Sequence, residues 1–280
     1  MAPPEQRSAV LPVSAPAEEG LRVEGLVVRF GGLTAADGVG LVAPLGRITG
    51  LVGPNGAGKT TTFNACTGLN RPDAGRVLLF GRDVTHMSAQ ARAQLGLGRT
   101  FQRMELYDSL TVFDNVALGL EARLAGRRPW RHLLARQGET AKVRRSALEA
   151  MERCGIAHLA SRRPADLSTG QRRLVELARA IAGGSSLLLL DEPSSGLDRS
   201  ETLAFGDVLT TLVREEARGI LIVEHDMSLV MRICDHVYVL DFGKLIFEGS
   251  TAQLAVDPIV RAAYLGSDAA SPELAALERA

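Results

Sequence analysis

Short apolar runs separated by polar and glycine-rich stretches occupy the first third of the chain. Residues Leu21–Phe30 alternate loosely between apolar and polar positions and Val39–Val42 is largely apolar, so the pattern predicts two early strands. Ile48–Val52 is a compact apolar run that ends in a glycine-rich segment, and a helix-compatible stretch, Lys59–Gly68, follows it. A further strand is predicted over Gly75–Gly81. The order strand, glycine loop, helix is typical of the start of a phosphate-binding unit.

The rest of the chain alternates between helical and strand patterns. Alanine, leucine, arginine and glutamate dominate Ser88–Leu95 and Leu118–Ala160, which favours helices. Strands are predicted again at Ser186–Leu190, Gly219–Val223 and His236–Leu240. This alternation predicts a mostly parallel sheet with helices on its faces and a helical insertion between Leu118 and about Leu167. No internal repeat is visible, so we expect a single nucleotide-type module.

Net charge and composition exclude several classes of protein. The 280 residues include 32 basic and 32 acidic side chains, which cancel to a formal charge of +0. This balance argues against a protein that binds nucleic acid through a net positive field, and we expect no nucleic-acid partner. The apolar content of 46% and the charged content of 23% are ordinary for a globular domain. The longest uncharged stretches run 11 residues, whereas a membrane-spanning helix needs about 20, so we do not expect the chain to cross a bilayer by itself.

The cysteines and the N-terminus carry no sign of secretion. Cys66, Cys154 and Cys234 are isolated from one another, so we expect small buried apolar residues and neither a disulfide framework nor a zinc site. Residues 1–20 are rich in proline and lack the basic region and apolar core of a signal peptide. They are predicted to form a flexible tail.

The glycine-rich segment after the third predicted strand matches the phosphate-loop pattern G-x-x-x-x-G-K-[ST] at every position. Its residues are Gly53, Pro54, Asn55, Gly56, Ala57, Gly58, Lys59 and Thr60. Glycines permit the unusual dihedrals and the close approach that a backbone cradle for a polyphosphate requires. Lys59 can reach the β and γ phosphates, the Thr60 hydroxyl can ligate Mg²⁺, and Thr61 is a candidate for a further phosphate contact. A surface turn that matches by chance is the alternative, but the flanking strand and helix favour the phosphate loop.

A pair of carboxylates follows the apolar run Leu187–Leu190. A buried strand that ends in Asp191 and Glu192 places them at the carboxyl edge of a parallel sheet, where ligands bind in such folds. Asp191 is predicted to hold Mg²⁺, and Glu192 to orient or deprotonate the attacking water. An acidic turn at a strand end is the alternative, and the phosphate loop in the same chain favours the catalytic interpretation.

Between these two segments, Leu167–Gln171 resembles the signature Leu-Ser-Gly-Gly-Gln of the nucleotide-binding subunits of ATP-binding-cassette (ABC) proteins. The segment has Thr169 at the position of the first glycine, and a helix-like stretch follows it. Four more residues lie in the family's order and resemble its functional positions. They are Phe30 at the adenine-stacking position, Gln102 in the glutamine loop, Asp198 in the loop after the catalytic glutamate, and His225 as the switch histidine.

The resemblance implies a fold class and the boundaries of the domain and its subdomains. The fold is α/β, a P-loop NTPase of the ABC type with a mostly parallel core sheet, an N-terminal antiparallel β subdomain and a helical subdomain over about residues 103–182. The nucleotide-binding domain is expected over residues 21–266, with tails over residues 1–20 and 267–280.

The resemblance also implies an ATPase that uses ATP and Mg²⁺. The expected catalytic residues are Glu192, His225 and Gln102. The residues expected to bind Mg²⁺ are Thr60, Gln102 and Asp191. In the family, two ATP molecules are sandwiched between two subunits, so the signature of one chain meets the γ-phosphate held by the other. Ser168 and Gly170 are expected to do so, and Thr169, Gln171 and Asp198 are expected among the other nucleotide-binding residues. One phosphate loop and one signature in this chain imply a homodimer or a heterodimer with a related subunit.

Three segments narrow the resemblance within the family. Leu95–Gln102, Leu110–Val116 and Asp257–Gly266 look like the ATP-binding subunits of branched-chain (hydrophobic) amino-acid importers. This implies transmembrane permease subunits, a periplasmic or lipid-anchored solute-binding protein that acts indirectly, and a place at the cytoplasmic face of the membrane. Importers of urea or short-chain amides, and lipopolysaccharide-export ATPases, are the alternatives. The export ATPases usually carry Leu-Pro-Gln where this chain has Thr100–Gln102.

Other classes of ABC protein fit the sequence less well. An ABC ATPase of translation would usually join two cassettes in one chain, and a chromosome-maintenance ATPase would split its motifs around a very long coiled coil. A regulatory nucleotide-binding module without transport stays open as an alternative, and a missing membrane partner would favour it.

Overall fold

The computed structural model describes residues 20–100, 105–127 and 137–265. The strands in these ranges are β1 (Gly20–Phe30), β2 (Leu33–Pro44), β3 (Ile48–Val52), β4 (Ala74–Leu79), β5 (Arg82–Asp83), β6 (Leu97–Arg99), β7 (Leu187–Asp191), β8 (Gly219–Val223), β9 (His236–Asp241) and β10 (Lys244–Gly249). The helices are α1 (Lys59–Thr67), α2 (Ala89–Leu95), α3 (Val112–Arg127), α4 (Gln137–Arg153), α5 (Thr169–Ala182), α6 (Arg199–Glu216), α7 (Met227–Ile233), α8 (Thr251–Val256) and α9 (Pro258–Leu265). Within these ranges, no helix has both the length and the apolar character of a membrane span.

The N-terminal strands form an antiparallel sheet in the order β2-β1-β4-β5. Its buried face carries the apolar residues of β1, and their spacing changes from two to three between Val23 and Leu26. The register of β1 against β2 shifts at the same place, and Gly25 there has a φ of +57°. A bulge at this glycine therefore keeps both apolar residues on the buried face, which accounts for the loose alternation of the sequence.

The core sheet has the order β10-β9-β3-β8-β7-β6 and is parallel except for β10. Every residue of β3, β7 and β8 is buried, because helices or the other sheet cover both faces of these central strands. Leu188 and Leu190 pack into one hydrophobic core, while Leu187 and Leu189 pack into the other. The carboxyl ends of β3, β7 and β8 meet at one edge, which places the phosphate loop, Glu192 and His225 on the same side of the sheet.

Helices α3, α4 and α5 pack against one another beside the core sheet. Helix α3 begins at Val112, six residues before the predicted helical stretch. Asp114 donates its backbone N–H to the Thr111 hydroxyl at 3.1 Å, and the Asp114 carboxylate accepts from that hydroxyl at 2.5 Å. This N-terminal cap at Thr111 starts the helix before the alanine- and leucine-rich stretch. The composition alone gives no sign of the cap.

The predicted α/β class and mostly parallel sheet are confirmed, and each predicted strand is present. Strands β5, β6 and β10 were not predicted. The first two span two and three residues, too few to show a period. Strand β10 follows β9 through the tight turn Phe242–Gly243, in which both residues have positive φ. The three cysteines are buried, as expected.

A buried arginine holds the C-terminal end of α1, the helix that follows the phosphate loop. Arg92 Nη1 donates to the carbonyl oxygens of Ala65 and Cys66, both at 2.7 Å, and Nη2 donates to that of Thr85 at 3.1 Å. The last turn of a helix leaves carbonyls without intrahelical partners, and this guanidinium satisfies two of them.

Arg92→Ala is therefore expected to lower the free energy of unfolding by about 3 kcal/mol, since several charge-assisted hydrogen bonds to buried carbonyls are lost. Urea unfolding followed by circular dichroism measures this change. Arg82→Ala, at an exposed position, is the matched control and is expected to leave the midpoint unchanged. Equal midpoints for the two variants would contradict the role given to Arg92.

Candidate nucleotide-binding site

At two positions of the phosphate-loop segment, the backbone conformation and its surroundings leave no room for a side chain. Gly53 has a φ of 145°, and a Cβ there would lie 2.1 Å from the carbonyl oxygen of Leu240. Gly58 has a φ of 96°, and a Cβ there would lie 2.2 Å from the carbonyl oxygen of Ala35. The loop is therefore pressed against β9 and β2, and glycine is required at both ends of its curve.

The turn between β9 and β10 braces the loop from one side. Gly243 donates its N–H to the carbonyl of Ala57 at 3.0 Å, and Asp37 donates its N–H to the carbonyl of Gly243 at 2.8 Å. Asn55, Gly56 and Thr60 are exposed. The loop is thus fixed on its protein side and open on the side where α1 begins, and the N-terminus of a helix favours an anion.

The Lys59 side chain folds back over the loop. Its Nζ donates to the carbonyl oxygens of Gly53 at 2.7 Å and Pro54 at 3.0 Å, and the residue is 6% exposed. Burial lowers the pKa of this ammonium, and the nearby charges of Glu192 and Asp191 offset part of the change. Two carbonyls therefore hold a cation at the mouth of the loop, a position that suits the binding of a polyphosphate.

Asp191 and Glu192 separate at the end of β7. Asp191 is the last residue of the strand, is buried, and has its Oδ2 3.7 Å from Nη2 of Arg99. Burial raises the pKa of Asp191, and the Arg99 guanidinium opposes this rise. Glu192 leaves the strand with a φ of 45°, and its N–H donates to the carbonyl of Val223 at 2.8 Å. Adjacent carboxylates thus point in different directions, as their different predicted roles require.

His225 follows β8 and lies beside Glu192. Its Nδ1 is 4.0 Å from Glu192 Oε2 and also 4.0 Å from Glu224 Oε2. About half of the imidazole surface is exposed, at 48%. The structure therefore brings the predicted histidine and the predicted catalytic carboxylate together, with the ring open to a ligand at the sheet edge.

Glu224 was not among the predicted site residues, although it is fully buried at the end of β8. Its carboxylate accepts hydrogen bonds from the Ser194 N–H at 2.8 Å, the Ser194 hydroxyl at 2.9 Å and the His225 N–H at 3.2 Å. Burial raises the pKa of this carboxyl, and the hydrogen bonds from Ser194 offset part of the rise. Glu224 therefore joins the segment after Glu192 to the segment that carries His225. A charged residue directly after the fully apolar strand Gly219–Val223 was the available signal.

Glu224→Gln is expected to lower the free energy of unfolding by about 1–3 kcal/mol, because an amide nitrogen replaces an acceptor among several donors. Urea unfolding of the wild type, Glu224→Gln, Ser194→Ala and the double variant forms a double-mutant cycle. A coupling of about 1 kcal/mol or more between the two sites is expected, since they share hydrogen bonds. Additive effects would contradict the proposed link.

The signature segment begins helix α5 as the sequence predicts, but the hydrogen-bond donors of Ser168 and Gly170 already have a partner within the chain. Ser168 caps the helix, and its hydroxyl donates to Glu201 Oε1 at 2.7 Å. The Gly170 N–H donates to the same oxygen at 3.2 Å. The resemblance implied that these donors meet a γ-phosphate held by another chain. Glu201, at the start of α6, was missed because its contact with Ser168 joins residues 33 positions apart.

The other predicted site residues lie at several places. Phe30 ends β1 and is 54% exposed, so it does not pack in the core. Thr169 lies beside Gly196 of the loop after Glu192, and Gln171 Oε1 accepts from the Ser168 N–H at 3.1 Å. Hydrogen bonds from Glu201 and Ser200 lower the pKa of the exposed Asp198. Thr61 is half-buried in the first turn of α1, and Gln102 lies outside the described residues.

A groove of about 720 Å³ lies between the core sheet and the helices α3 and α5. It is lined by residues of α2, β6, α3 and α5, among them Gln94, Glu121, Arg123 and Arg179, and by Thr100 directly after β6. Glu105 borders the groove. Its backbone N–H donates to Glu176 and its carbonyl accepts from Arg179 at 2.6 Å. Helix α5 therefore fixes Glu105 at the wall of this groove.

Comparison with known proteins gives the family. Residues 36–195 match the family model described as ABC transporter. The branched-chain amino acid transport ATP-binding proteins LivG of Escherichia coli K12 and BraF of Pseudomonas aeruginosa are each 36% identical over 253 residues, which is 88% of this chain and 97% of theirs. Methionine import ATP-binding protein MetN 1 of Burkholderia ambifaria is 35% identical over 85% of this chain and 67% of its own length.

Solved structures agree with this assignment. The ADP conformation of the ABC transporter cassette MJ1267 has a TM-score of 0.78 and 31% identity, over 89% of this chain and 99% of that one. The dimeric bacterial ABC transporter cassette MJ0796 has a TM-score of 0.69 and 25% identity, over 82% and 98%. The fold is that of an ATP-binding cassette, with the phosphate loop and the carboxylate pair at one edge of its sheet. The chain belongs to the ABC transporter family, as an ATP-binding, ATP-hydrolysing subunit.

Proposed function

We propose that the chain powers an ABC importer for branched-chain or other hydrophobic amino acids. The observation that carries the solute class is the similarity to LivG and BraF, which extends over 97% of their length and is not confined to the nucleotide-binding motifs. The geometry that supports ATP hydrolysis is the meeting of Lys59, Asp191, Glu192 and His225 at one sheet edge.

In this proposal the phosphate loop wraps the phosphates of ATP. The backbone N–H groups of Gly53–Thr61, except at Pro54, and the Thr61 hydroxyl donate to the phosphates. Lys59 exchanges its loop carbonyls for the β and γ phosphates, and Phe30 stacks on the adenine. Thr60, Asp191 and Gln102 would hold Mg²⁺. A hydroxyl and one carboxylate suit this ion, because it binds proteins through few direct ligands. Neutralisation of charge on the phosphate oxygens is the chemistry that the ion would supply there.

Hydrolysis in this proposal needs a second chain. Glu192 orients and deprotonates the attacking water, and His225 donates a hydrogen bond to the γ-phosphate. Ser168, Thr169, Gly170, Gln171 and Asp198 meet the ATP held by the partner, either a second copy or a related chain. The dimeric cassette MJ0796 supports the pairing.

Closure of the pair around ATP moves the membrane subunits, and hydrolysis resets them. We place the permease contact at the 720 Å³ groove, because its wall adjoins the segment that contains Gln102 and the helices α3 and α5. The chain then works at the cytoplasmic face of the membrane, and a solute-binding protein on the other side delivers the solute. The similarity to MetN 1 favours methionine as a second candidate solute. Urea, short-chain amides and lipopolysaccharide export are further alternatives.

Purification of the tagged full chain from detergent-solubilised membranes tests this function. We expect a permease and a related or identical ATP-binding chain to co-purify, and the solute-binding protein to bind leucine, isoleucine or valine. The same protein is then titrated with methionine and with urea. Tighter binding of methionine or urea would replace the proposed solute class, and purification without any membrane protein would favour a regulatory module.

A further inference from the structure

The carboxylate of Glu201 occupies the donors at the start of helix α5. Its Oε1 accepts hydrogen bonds from the Ser168 hydroxyl at 2.7 Å and the Gly170 N–H at 3.2 Å. The fit is close, because a Cβ on Gly170 would lie 2.8 Å from both Cδ and Oε1 of Glu201. An anion thus already sits at this helix N-terminus, and it belongs to helix α6 of the same chain.

Each of the two donor groups has a single hydrogen, so neither can donate to Glu201 and to a second anion at the same time. A serine hydroxyl has one hydrogen, and Ser168 Oγ already accepts from the Gln171 N–H at 3.2 Å, so its hydrogen goes to Glu201. The Gly170 N–H likewise has a single hydrogen. A second anion at these donors would compete for the same two hydrogens and would repel the carboxylate.

Glu201 also makes hydrogen bonds to Asp198, and these do not depend on its contact with Ser168 and Gly170. Its Oε2 accepts from the Asp198 N–H at 3.3 Å, and its own N–H donates to Asp198 Oδ1 at 2.8 Å. These two bonds form the capping box of α6. The carboxylate can therefore leave Ser168 while the cap of α6 is maintained.

We propose that Glu201 is a further residue of the ATP site, an internal ligand that competes with the partner-held γ-phosphate for Ser168 and Gly170. This inference rests on the proposed function, which assigns those donors to the phosphate. Without ATP, Glu201 satisfies the donors and keeps the signature helix docked on α6. Closure of the pair requires the carboxylate to move away, so Glu201 sets the ATP concentration at which two chains associate.

The test measures association in a background that does not hydrolyse ATP. Light scattering follows the mass of Glu192→Gln and of Glu192→Gln with Glu201→Gln over a series of MgATP concentrations, with the related subunit present if purification yields one. Glutamine has one acceptor oxygen where glutamate has two, so it cannot both complete the capping box and accept from Ser168 and Gly170, and half-association is expected at a roughly fivefold lower ATP concentration. Glu201→Ala removes the acceptor and is expected to shift the curve in the same direction.

Glu215→Gln in the same background is the matched control, since it removes one charge at an exposed position of the same helix. It is expected to leave the curve unchanged. An unchanged or higher ATP requirement in both Glu201 variants would overturn the inference and indicate that Glu201 only supports the signature. If Glu192→Gln itself stays a single chain at saturating MgATP, the proposed pairing fails and the inference fails with it.

Discussion

Glu192→Gln is expected to lower the turnover number for ATP hydrolysis by about 10²- to 10⁴-fold, the usual contribution of a positioned general base. The carboxylate stands at the end of β7 with a φ of 45° and has His225 Nδ1 4.0 Å away. An amide of the same size keeps this position but cannot accept the proton of the attacking water. ATP binding is expected to persist, because the phosphate loop and Lys59 are unchanged, and the pair is expected to remain closed around ATP.

Phosphate release and light scattering with MgATP measure the two effects together. Glu215→Gln, which makes the same change of charge on the exposed part of α6, is expected to hydrolyse ATP at the wild-type rate. A turnover number for Glu192→Gln within about fivefold of the wild-type value would contradict the role of Glu192 as general base. A variant that neither hydrolyses ATP nor associates at saturating MgATP would contradict the proposed pairing around ATP.

Lys59→Ala is expected to weaken ATP binding by about 100-fold or more, which corresponds to about 2.7 kcal/mol. The ammonium is held at the mouth of the loop by the carbonyls of Gly53 and Pro54, so its position is set before the phosphates arrive. A charge-assisted contact to phosphate is therefore formed without ordering a flexible side chain, and its loss leaves the phosphates without a fixed cation. Isothermal titration with ATP measures the change.

Lys142→Ala removes an exposed lysine of α4 and is the matched control, with ATP affinity expected to be unchanged. Lys59→Arg keeps the charge but places a larger planar group in a buried position, and it is expected to bind ATP poorly as well. ATP affinity equal to that of the wild type in Lys59→Ala would contradict the phosphate-loop assignment.

The parts of the fold that could be predicted are those in which local sequence determines structure. Ile48–Val52 and Gly219–Val223 are short uncharged, mostly apolar runs between glycines or charges, and the structure has strands with these same limits. The glycines of the phosphate loop were predictable for the same reason, since the positive φ at Gly53 and Gly58 is a local demand of the chain. The strands β5 and β6 were not, because two or three residues show no period.

The parts of the site that were missed depend on contacts between distant segments. Glu224 holds Ser194 across 30 residues, and Glu201 holds Ser168 across 33 residues. Arg92 reaches α1 across 26 and 27 residues. A charged side chain in a sequence gives no indication of which distant donor or acceptor it meets. The motifs therefore predict which residues meet ATP, but they do not indicate which distant residues contact those motifs.

ATP-driven uptake of radiolabelled leucine tests the central claim most directly. Membrane vesicles that contain the assembled complex and the solute-binding protein would carry either the wild-type chain or Glu192→Gln, with equal amounts of assembled complex verified in each. We predict leucine uptake that requires MgATP with the wild-type chain and falls to background with Glu192→Gln, although both complexes bind ATP. Equal uptake with the two chains, or ATP hydrolysis by the wild-type complex without uptake of leucine, would contradict the account.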